Sequence, residues 1–179
     1  MSKKNTLLSV LFLTISFYLS AQTTDYKEYG GKISIGVEIF DGFGIPVRYY
    51  SGPHVIEAGM YMGGVALYEN SKLADIRTEP MVGAGYTYFG NRFLKEKKRR
   101  DKIRANGISL RVNQLLGDFS TTVPSLSWAQ ETFREGRTHR SFLFELGIQY
   151  LVPNFTYLEV RPDPQVGLHL RCQWNFFLK

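Results

Sequence analysis

The sequence predicts an all-β fold: an antiparallel up-and-down transmembrane β-barrel of about eight strands. Three observations lead to this prediction: many aromatic residues, apolar residues that alternate with polar ones, and polar rows that carry few charges. The chain of 179 residues contains 13 Phe and 11 Tyr, residue types that favour strands. Hydrophobic residues make up 44%, which excludes a disordered chain.

The first residues have the organisation of a secretory signal peptide. Two lysines precede a mostly apolar run at residues 7–19, and a small-residue exit ends at Ala21. The apolar run is shorter than the ~20 residues that a membrane-spanning helix needs. We therefore expect residues 1–21 to be a removable leader and residues 22–179 to form a single barrel domain.

The C-terminal segment shows the alternation most clearly. An apolar row runs from Val166 to Leu178, and polar residues such as His169 and Arg171 lie between its members. Because alternate side chains of a strand point to opposite faces, this segment predicts one long strand with an apolar and a polar face. The same period predicts further strands. They lie at residues 31–39, 45–50, 55–68, 81–89, 107–114, 141–150 and, more weakly, 154–160.

The polar rows indicate which face of the barrel is inside. A soluble barrel or sandwich turns its apolar rows inward, and a transmembrane barrel turns them towards lipid. Here the polar rows are mostly Gly, Ser, Asn, Gln and Tyr, whereas a solvated face is rich in Lys, Glu and Asp. Their few charges balance in sign, as buried charges must, although six unrelated surface charges would give the same pattern. We expect a paired network in the lumen, formed by Glu38, Arg48, Glu57, Arg111, Glu145, Arg171 and His169.

Aromatic residues fall at or near the ends of the predicted strands. This distribution is typical of the aromatic girdles at the two membrane interfaces. The β propensity of Tyr and Phe explains why they occur in strands, but not why they prefer strand ends. The residues concerned are Tyr49, Tyr68, Tyr86, Tyr88, Tyr150, Tyr157, Trp174 and Phe176.

With its leader, its alternating segments and a terminal strand that ends in residues 173–179, the chain resembles the small outer-membrane β-barrels of the OmpA/OmpX-like superfamily. The resemblance implies an outer-membrane location and contact with outer-membrane lipid. It also implies that the C-terminal strand is read by the barrel-assembly machinery, although Leu178 and Lys179 follow the last Phe. It implies no specific activity, since fold alone does not establish function.

In such barrels the N-terminus usually starts in the periplasm, and this predicts the side on which each connection lies. We expect tight periplasmic turns at residues 51–53 and 152–153. The longer connections at residues 69–79 and 117–140 are expected to face outward. The basic connection at residues 91–106 then falls on the periplasmic side.

A basic run occupies the middle of that connection. It suits an anionic partner, such as lipid phosphates or an acidic periplasmic protein, or else it is simply a solvated turn. Nucleic acid is not expected, because no aromatic residues are interleaved with the charges and no nucleic-acid fold is predicted. The run consists of Lys95, Lys97, Lys98, Arg99, Arg100, Lys102 and Arg104.

One spacing is suggestive of catalysis. His139 and Ser141 share a strand face and resemble the His-x-Ser of lipid A deacylases, with Glu145 as the orienting acid by analogy. The neighbouring residues differ from that family, and the parity turns both side chains towards the lumen. We therefore expect no catalytic site.

No cofactor or metal site is expected. The three histidines lack metal-ligand spacing, and a single cysteine, Cys172, excludes a disulfide framework. The long connection after residue 117 is a possible recognition surface, since loops commonly carry function. Its candidate residues are Ser125, Trp128, Thr132 and Phe133.

Three functions therefore stay open. The first is an integral outer-membrane barrel with a structural, adhesive or partner-binding role that is not a general porin, because an eight-stranded barrel is filled by its own side chains. The second is a lipid-modifying outer-membrane enzyme. The third is a secreted soluble barrel that holds a small ligand.

Cleavage of the leader can be tested directly. Removal of residues 1–21 from the 179 leaves 158 residues that begin at Gln22. Intact-mass measurement of the protein from the cell envelope is expected to give the mass of residues 22–179. A mass that includes the apolar run would contradict the prediction and indicate an N-terminal anchor.

Overall fold

The computed structural model shows a closed barrel of eight strands, each antiparallel to its two neighbours. It describes residues 31–40, 42–69, 72–95, 102–134, 137–155 and 163–178. Within these ranges, no helix has the length and apolarity to cross a membrane. The strands are β1 (Ile33–Phe40), β2 (Phe43–Ser51), β3 (His54–Glu69), β4 (Lys72–Lys95), β5 (Lys102–Leu115), β6 (Thr121–Arg134), β7 (Arg137–Pro153) and β8 (Gln165–Phe177). The all-β, eight-stranded fold class is thereby confirmed.

Neighbouring strands alternate in direction, so the connections lie at two ends of the barrel. The terminal end holds the start of β1, the end of β8 and the turn at residues 52–53. The far end holds the connections that follow β1, β3, β5 and β7. The turn at Gly52 is left-handed, with a φ of 60°, which glycine adopts without strain.

The apolar rows point outward and the polar rows point inward. Leu110 is 54% exposed and Ile148 is 55% exposed, whereas Arg48 and Arg171 are 1% and 2% exposed. Exposure and burial alternate along β2 without interruption. The period-two pattern of the sequence therefore corresponds to an outer apolar surface and to an interior that holds the polar and charged side chains.

The strand assignment differs from the sequence prediction in one region. Residues 117–140, predicted as a long outer connection, contain β6 and the start of β7. The outward row of β6 holds Pro124, Gln130 and Thr132 beside Leu126 and Trp128, so its apolar alternation is too short to be recognised. The weak strand predicted at 154–160 is not confirmed, since residues 154 and 155 lie outside any strand and 156–160 lie outside the described residues.

Two other connections are shorter than predicted. β4 begins at Lys72 and ends at Lys95, so most of residues 69–79 and part of 91–106 belong to strands. The extra strand β6 also changes the side of one turn. Residues 152–153, predicted to lie with residues 51–53, end β7 at the far end of the barrel. The prediction that both turns lie at the same end of the barrel was wrong, because it left out β6 and therefore one passage of the chain along the wall.

Side chains fill the described interior in three layers. An apolar layer at the terminal end includes Tyr50, Val55, Phe89 and Phe177, and a second apolar layer towards the far end consists of Tyr61, Met81, Leu115 and Val123. The charged residues lie between them, as β3 shows: Glu57 follows Val55 and precedes Tyr61. A narrow barrel filled in this way is a packed core rather than an open channel.

Close approach between β6 and β7 requires a glycine at position 147. A Cβ atom there would lie 2.1 Å from the carbonyl oxygen of Leu126, whereas a Cβ at Gly85 would meet its nearest atom at 3.4 Å. Gly147→Ala is therefore expected to lower the free energy of unfolding by about 1–3 kcal/mol, as overpacking does. Gly85→Ala is the matched control and is expected to unfold at the wild-type urea concentration. Equal midpoints for the two variants would contradict this contact.

Candidate functional site: the charged layer of the interior

Seven strands contribute to a charged layer across the middle of the lumen. Each side chain occupies an inward position of its strand and is nearly or fully buried. The layer consists of Glu38 of β1, Arg48 of β2, Glu57 of β3, Arg111 of β5, Glu131 of β6, Glu145 of β7, and His169 and Arg171 of β8. All seven residues that the sequence assigned to a lumen network lie in this layer, and Glu131 joins them.

Arg171 lies at the centre of the charged layer. Its Nε atom is 2.7 Å from Oε2 of Glu38, and its Nη1 atom is 3.1 Å from Oε2 of Glu145. Its Nη2 atom contacts Glu57 Oε1 at 2.5 Å. One guanidinium thus links carboxylates from three different strands, which its planar set of five N–H donors allows.

Arg48 forms a second centre towards the terminal end. Its Nε atom lies 3.2 Å from Oε2 of Glu57, and its Nη1 atom lies 3.0 Å from Oε2 of Glu131. Tyr50 completes this group, since its hydroxyl donates to Glu131 at 2.8 Å and accepts from Arg48 at 2.8 Å. β2 and β6 are therefore joined across the lumen although they are not neighbours in the wall.

Arg111 joins the charged layer to the far-end apolar layer. Its Nη1 atom lies 3.1 Å from Glu38 and 3.6 Å from Glu57, and its Nε atom donates to Asn113 at 2.9 Å. Its guanidinium carbon lies 4.5 Å from the centre of the Tyr61 ring, in cation–π geometry. Charge and aromatic packing are thus combined at this boundary.

Sequence reasoning missed Glu131 because the residue falls in the segment predicted as an outer connection. The inward row of β6 places Ser125, Ser127 and Ala129 before Glu131, and this small-residue pattern matches the other polar rows. This row of small residues was the signal by which the sequence could have revealed β6 and Glu131. The same strand changes the suggested recognition surface. Of its four candidate residues, Ser125 and Phe133 are buried in the lumen, Thr132 is half-buried, and Trp128 is exposed.

Two of the three residues considered for a hydrolytic site, Ser141 and Glu145, do not contact each other. The Ser141 hydroxyl donates to Glu131 and accepts from Asn175 at 3.2 Å. Glu145, the analogue of the orienting acid, contacts Arg171 and His169 instead, with His169 Nε2 at 3.3 Å. Ser141 and Glu145 are four residues apart along a strand, about 13 Å. His139 lies on β7, but its side chain is outside the described part of the structure.

The basic run lies at the hairpin between β4 and β5, at the terminal end. Lys95 ends β4, and Lys102 and Arg104 lie on β5. Residues 97–100, which carry four of the positive charges, lie outside the described residues. The anionic-partner hypothesis therefore stays a prediction.

In the charged layer, four carboxylates face three guanidiniums and His169. Its carboxylates and guanidiniums contact one another, and in the described part of the chain no group of three or more His, Cys, Asp or Glu residues is placed to hold a metal ion. No protein-family model, curated protein or solved structure matches the chain. Functional inference therefore depends on the geometry of the barrel itself.

Removing the central cation tests the charged layer. Arg171→Met leaves Glu38, Glu57 and Glu145 buried without their shared partner, and we expect it to lower the free energy of unfolding by about 3–5 kcal/mol. Arg140→Met is the matched control, because Arg140 is exposed on the outer surface. Urea unfolding of both variants in detergent measures the difference. Equal stabilities would show that the charged layer does not hold the barrel together.

Proposed function

We propose that this chain is an integral outer-membrane β-barrel whose role is structural, adhesive or partner-binding and does not include general pore conduction. The supporting observation is the inverted distribution of polarity. Glu38, Glu131 and Glu145 are fully buried in the lumen, while large apolar side chains cover the outside. In water this arrangement would carry the cost of buried charge and leave the apolar surface unburied.

The outer apolar surface suits contact with hydrocarbon. A continuous apolar path follows neighbouring strands around part of the wall. It consists of residues that pair in succession: Leu110, Leu126, Ile148 and Leu168. Exposed aromatic side chains gather near the terminal end, where Tyr49, Tyr86, Trp174 and Phe176 lie, and Tyr150 lies towards the far end. Such aromatic rings favour the interface between lipid and water. Tyr68 and Tyr157 fall outside the described side chains.

The filled lumen supports a role other than conduction. Apolar layers lie on both sides of the charged layer, and the charged side chains are held by their mutual contacts. Eight strands enclose an interior that side chains can fill. A small, filled barrel of this kind suits a role performed by its outer surface or its hairpins.

The proposal includes a removable leader and a defined orientation. Residues 1–21 direct export, and the terminal end faces the periplasm, as is usual for such barrels. The β4–β5 hairpin with its basic run is then periplasmic, where it can meet an anionic partner. The C-terminal strand serves as the signal for barrel assembly.

Fractionation tests the location. The protein is expected in the outer-membrane fraction, resistant to carbonate extraction, with an electrophoretic mobility that changes on heating because the folded barrel resists the detergent. Recovery of the folded protein from the soluble fraction without detergent would contradict the proposal and favour a secreted soluble barrel. A large, stable conductance in a planar bilayer would contradict the non-porin role.

A charge placed on the lipid-facing surface tests contact with hydrocarbon at one residue. Leu126, 47% exposed, lies near the middle of β6, so Leu126→Arg is expected to destabilise the barrel in vesicles by about 2–4 kcal/mol. The control is Thr78→Arg on the exposed far-end part of β4, where the expected cost is about 0–1 kcal/mol. Each variant is titrated with urea, and the loss of its heat-sensitive electrophoretic mobility gives its free energy of unfolding. Equal costs at the two depths would contradict insertion.

A further inference from the structure

The outer wall changes from apolar to polar where β5 and β7 approach the terminal end. On β5 the apolar outward row ends at Ile108, which is 55% exposed, and the next outward positions hold Asn106 and Arg104. On β7 the apolar outward row ends at Phe142, and the exposed Arg140 lies beyond it. The edge of an apolar band is the level at which a membrane-spanning barrel meets the lipid headgroups.

Two arginines at this edge have no carboxylate partner among the described residues. Arg104 is half-buried, and its Nε atom is shielded from solvent without a hydrogen-bond partner in the described part of the chain. Arg140 is exposed, and no described carboxylate forms an ion pair with it or with Arg104. In the lumen, by contrast, Arg48 and Arg171 each contact at least two carboxylates. The two outer guanidiniums can therefore receive an anionic group from outside the chain.

The strand register places these arginines on either side of Thr132. Arg104 pairs with Thr132, and Thr132 pairs with Phe142 on the next strand. Arg140 lies two residues beyond Phe142 towards the terminal end. From the usual strand spacing and rise, the Cα atoms of Arg104 and Arg140 lie about 10 Å apart across the wall and about 7 Å apart along it. Two long side chains can approach one phosphate from these positions. We name Arg104, Thr132 and Arg140 the basic rim.

The surface next to the basic rim is apolar and aromatic. The ring centres of Phe142 and Trp174 are 5.2 Å apart, and those of Trp128 and Phe144 are 6.3 Å apart. Ile108 pairs with Trp128 and continues this surface onto β5. An occupant that contacts both the basic rim and this surface must combine an anionic group with a hydrocarbon chain. A free phosphate or an acidic peptide would contact the cations alone.

Charge differs between the two ends of the barrel. Residues 95–104 and 134–140, which include the β4–β5 and β6–β7 hairpins, contain ten cations and three acids. Residues 69–79 at the far end contain three acids and two cations, and Asp118 and Asp163 at that end are exposed. The terminal end therefore favours a lipid with net negative charge over a zwitterionic lipid.

We propose that the basic rim binds the phosphate of an anionic phospholipid. The guanidiniums of Arg104 and Arg140 donate to the phosphate oxygens from two sides, and the Thr132 hydroxyl donates between them. The acyl chains lie along the apolar surface at Ile108 and Trp128. This inference rests on the proposed function and names the anionic partner of the terminal end. Detergent without phospholipid offers no phosphate, so Arg140→Met stays neutral in the urea comparison described above.

Quenching by brominated lipids tests the basic rim. Trp128 lies four residues from Thr132 along β6, about 13 Å, so bromine in an acyl chain of a lipid held at the rim comes close to it. The full barrel with Trp174→Phe is reconstituted in phosphatidylcholine vesicles that contain brominated phosphatidylglycerol or brominated phosphatidylcholine. We expect the association constant of phosphatidylglycerol at Trp128 to be at least about fivefold higher, the effect of one arginine at a membrane surface.

The outcomes separate the basic rim from membrane insertion. Equal quenching by the two brominated lipids would overturn the anionic lipid site and leave insertion standing. The absence of quenching by either lipid, in a barrel whose heat-sensitive mobility shows that it is folded, would overturn the proposed function itself. Preferential displacement of brominated phosphatidylglycerol by lipid A would overturn the choice of a phospholipid.

Two double variants of equal charge provide the matched comparison. Arg104→Gln with Arg140→Gln is expected to lower the association constant of phosphatidylglycerol about fivefold or more and to leave that of phosphatidylcholine unchanged. Lys97→Gln with Lys98→Gln removes the same charge from the β4–β5 hairpin and is expected to keep the preference. Equal losses in the two variants would indicate diffuse attraction by the whole terminal end and overturn the site. Arg140→Gln alone, at an exposed position, is expected to show part of the loss, and an unchanged preference in that variant would also contradict the site.

Discussion

The guanidinium of Arg171 between carboxylates of three strands is the interaction on which the interior depends. A buried charge is tolerated only when it is paired and hydrogen-bonded, and here Glu38, Glu57 and Glu145 converge on one cation. Glu38 and Glu57 are distant from Arg171 in the sequence, so these two contacts form only when the wall closes. The charged layer therefore couples closure of the barrel to the pairing of its buried charges.

A charged interior determines what can lie outside. Because inward side chains already fill the lumen, no protein layer buries the outward apolar rows among the described residues. The hydrocarbon cover that we propose would resolve this imbalance, since lipid hides apolar side chains while the lumen satisfies the polar ones.

Much of this architecture could be predicted from the alternation alone. Rows such as the one from Val166 to Leu178 identify both the strand and its outward face, and balanced charges indicated an inward network. The strand β6 could not be predicted, because Pro124, Gln130 and Thr132 interrupt its outward row. Glu131 was missed together with this strand. The partners of each Arg depend on which side chains meet inside the closed barrel, and this cannot be read from a single sequence.

The chain contains two tryptophans, Trp128 and Trp174, and both lie on the outer surface, 45% and 43% exposed. Fluorescence quenching by phospholipids brominated along the acyl chain therefore measures contact with hydrocarbon directly. The account predicts strong quenching of both residues in vesicles, with Trp128→Phe and Trp174→Phe variants separating the two signals. Emission that brominated lipid leaves unchanged, from a barrel shown to be folded, would contradict it.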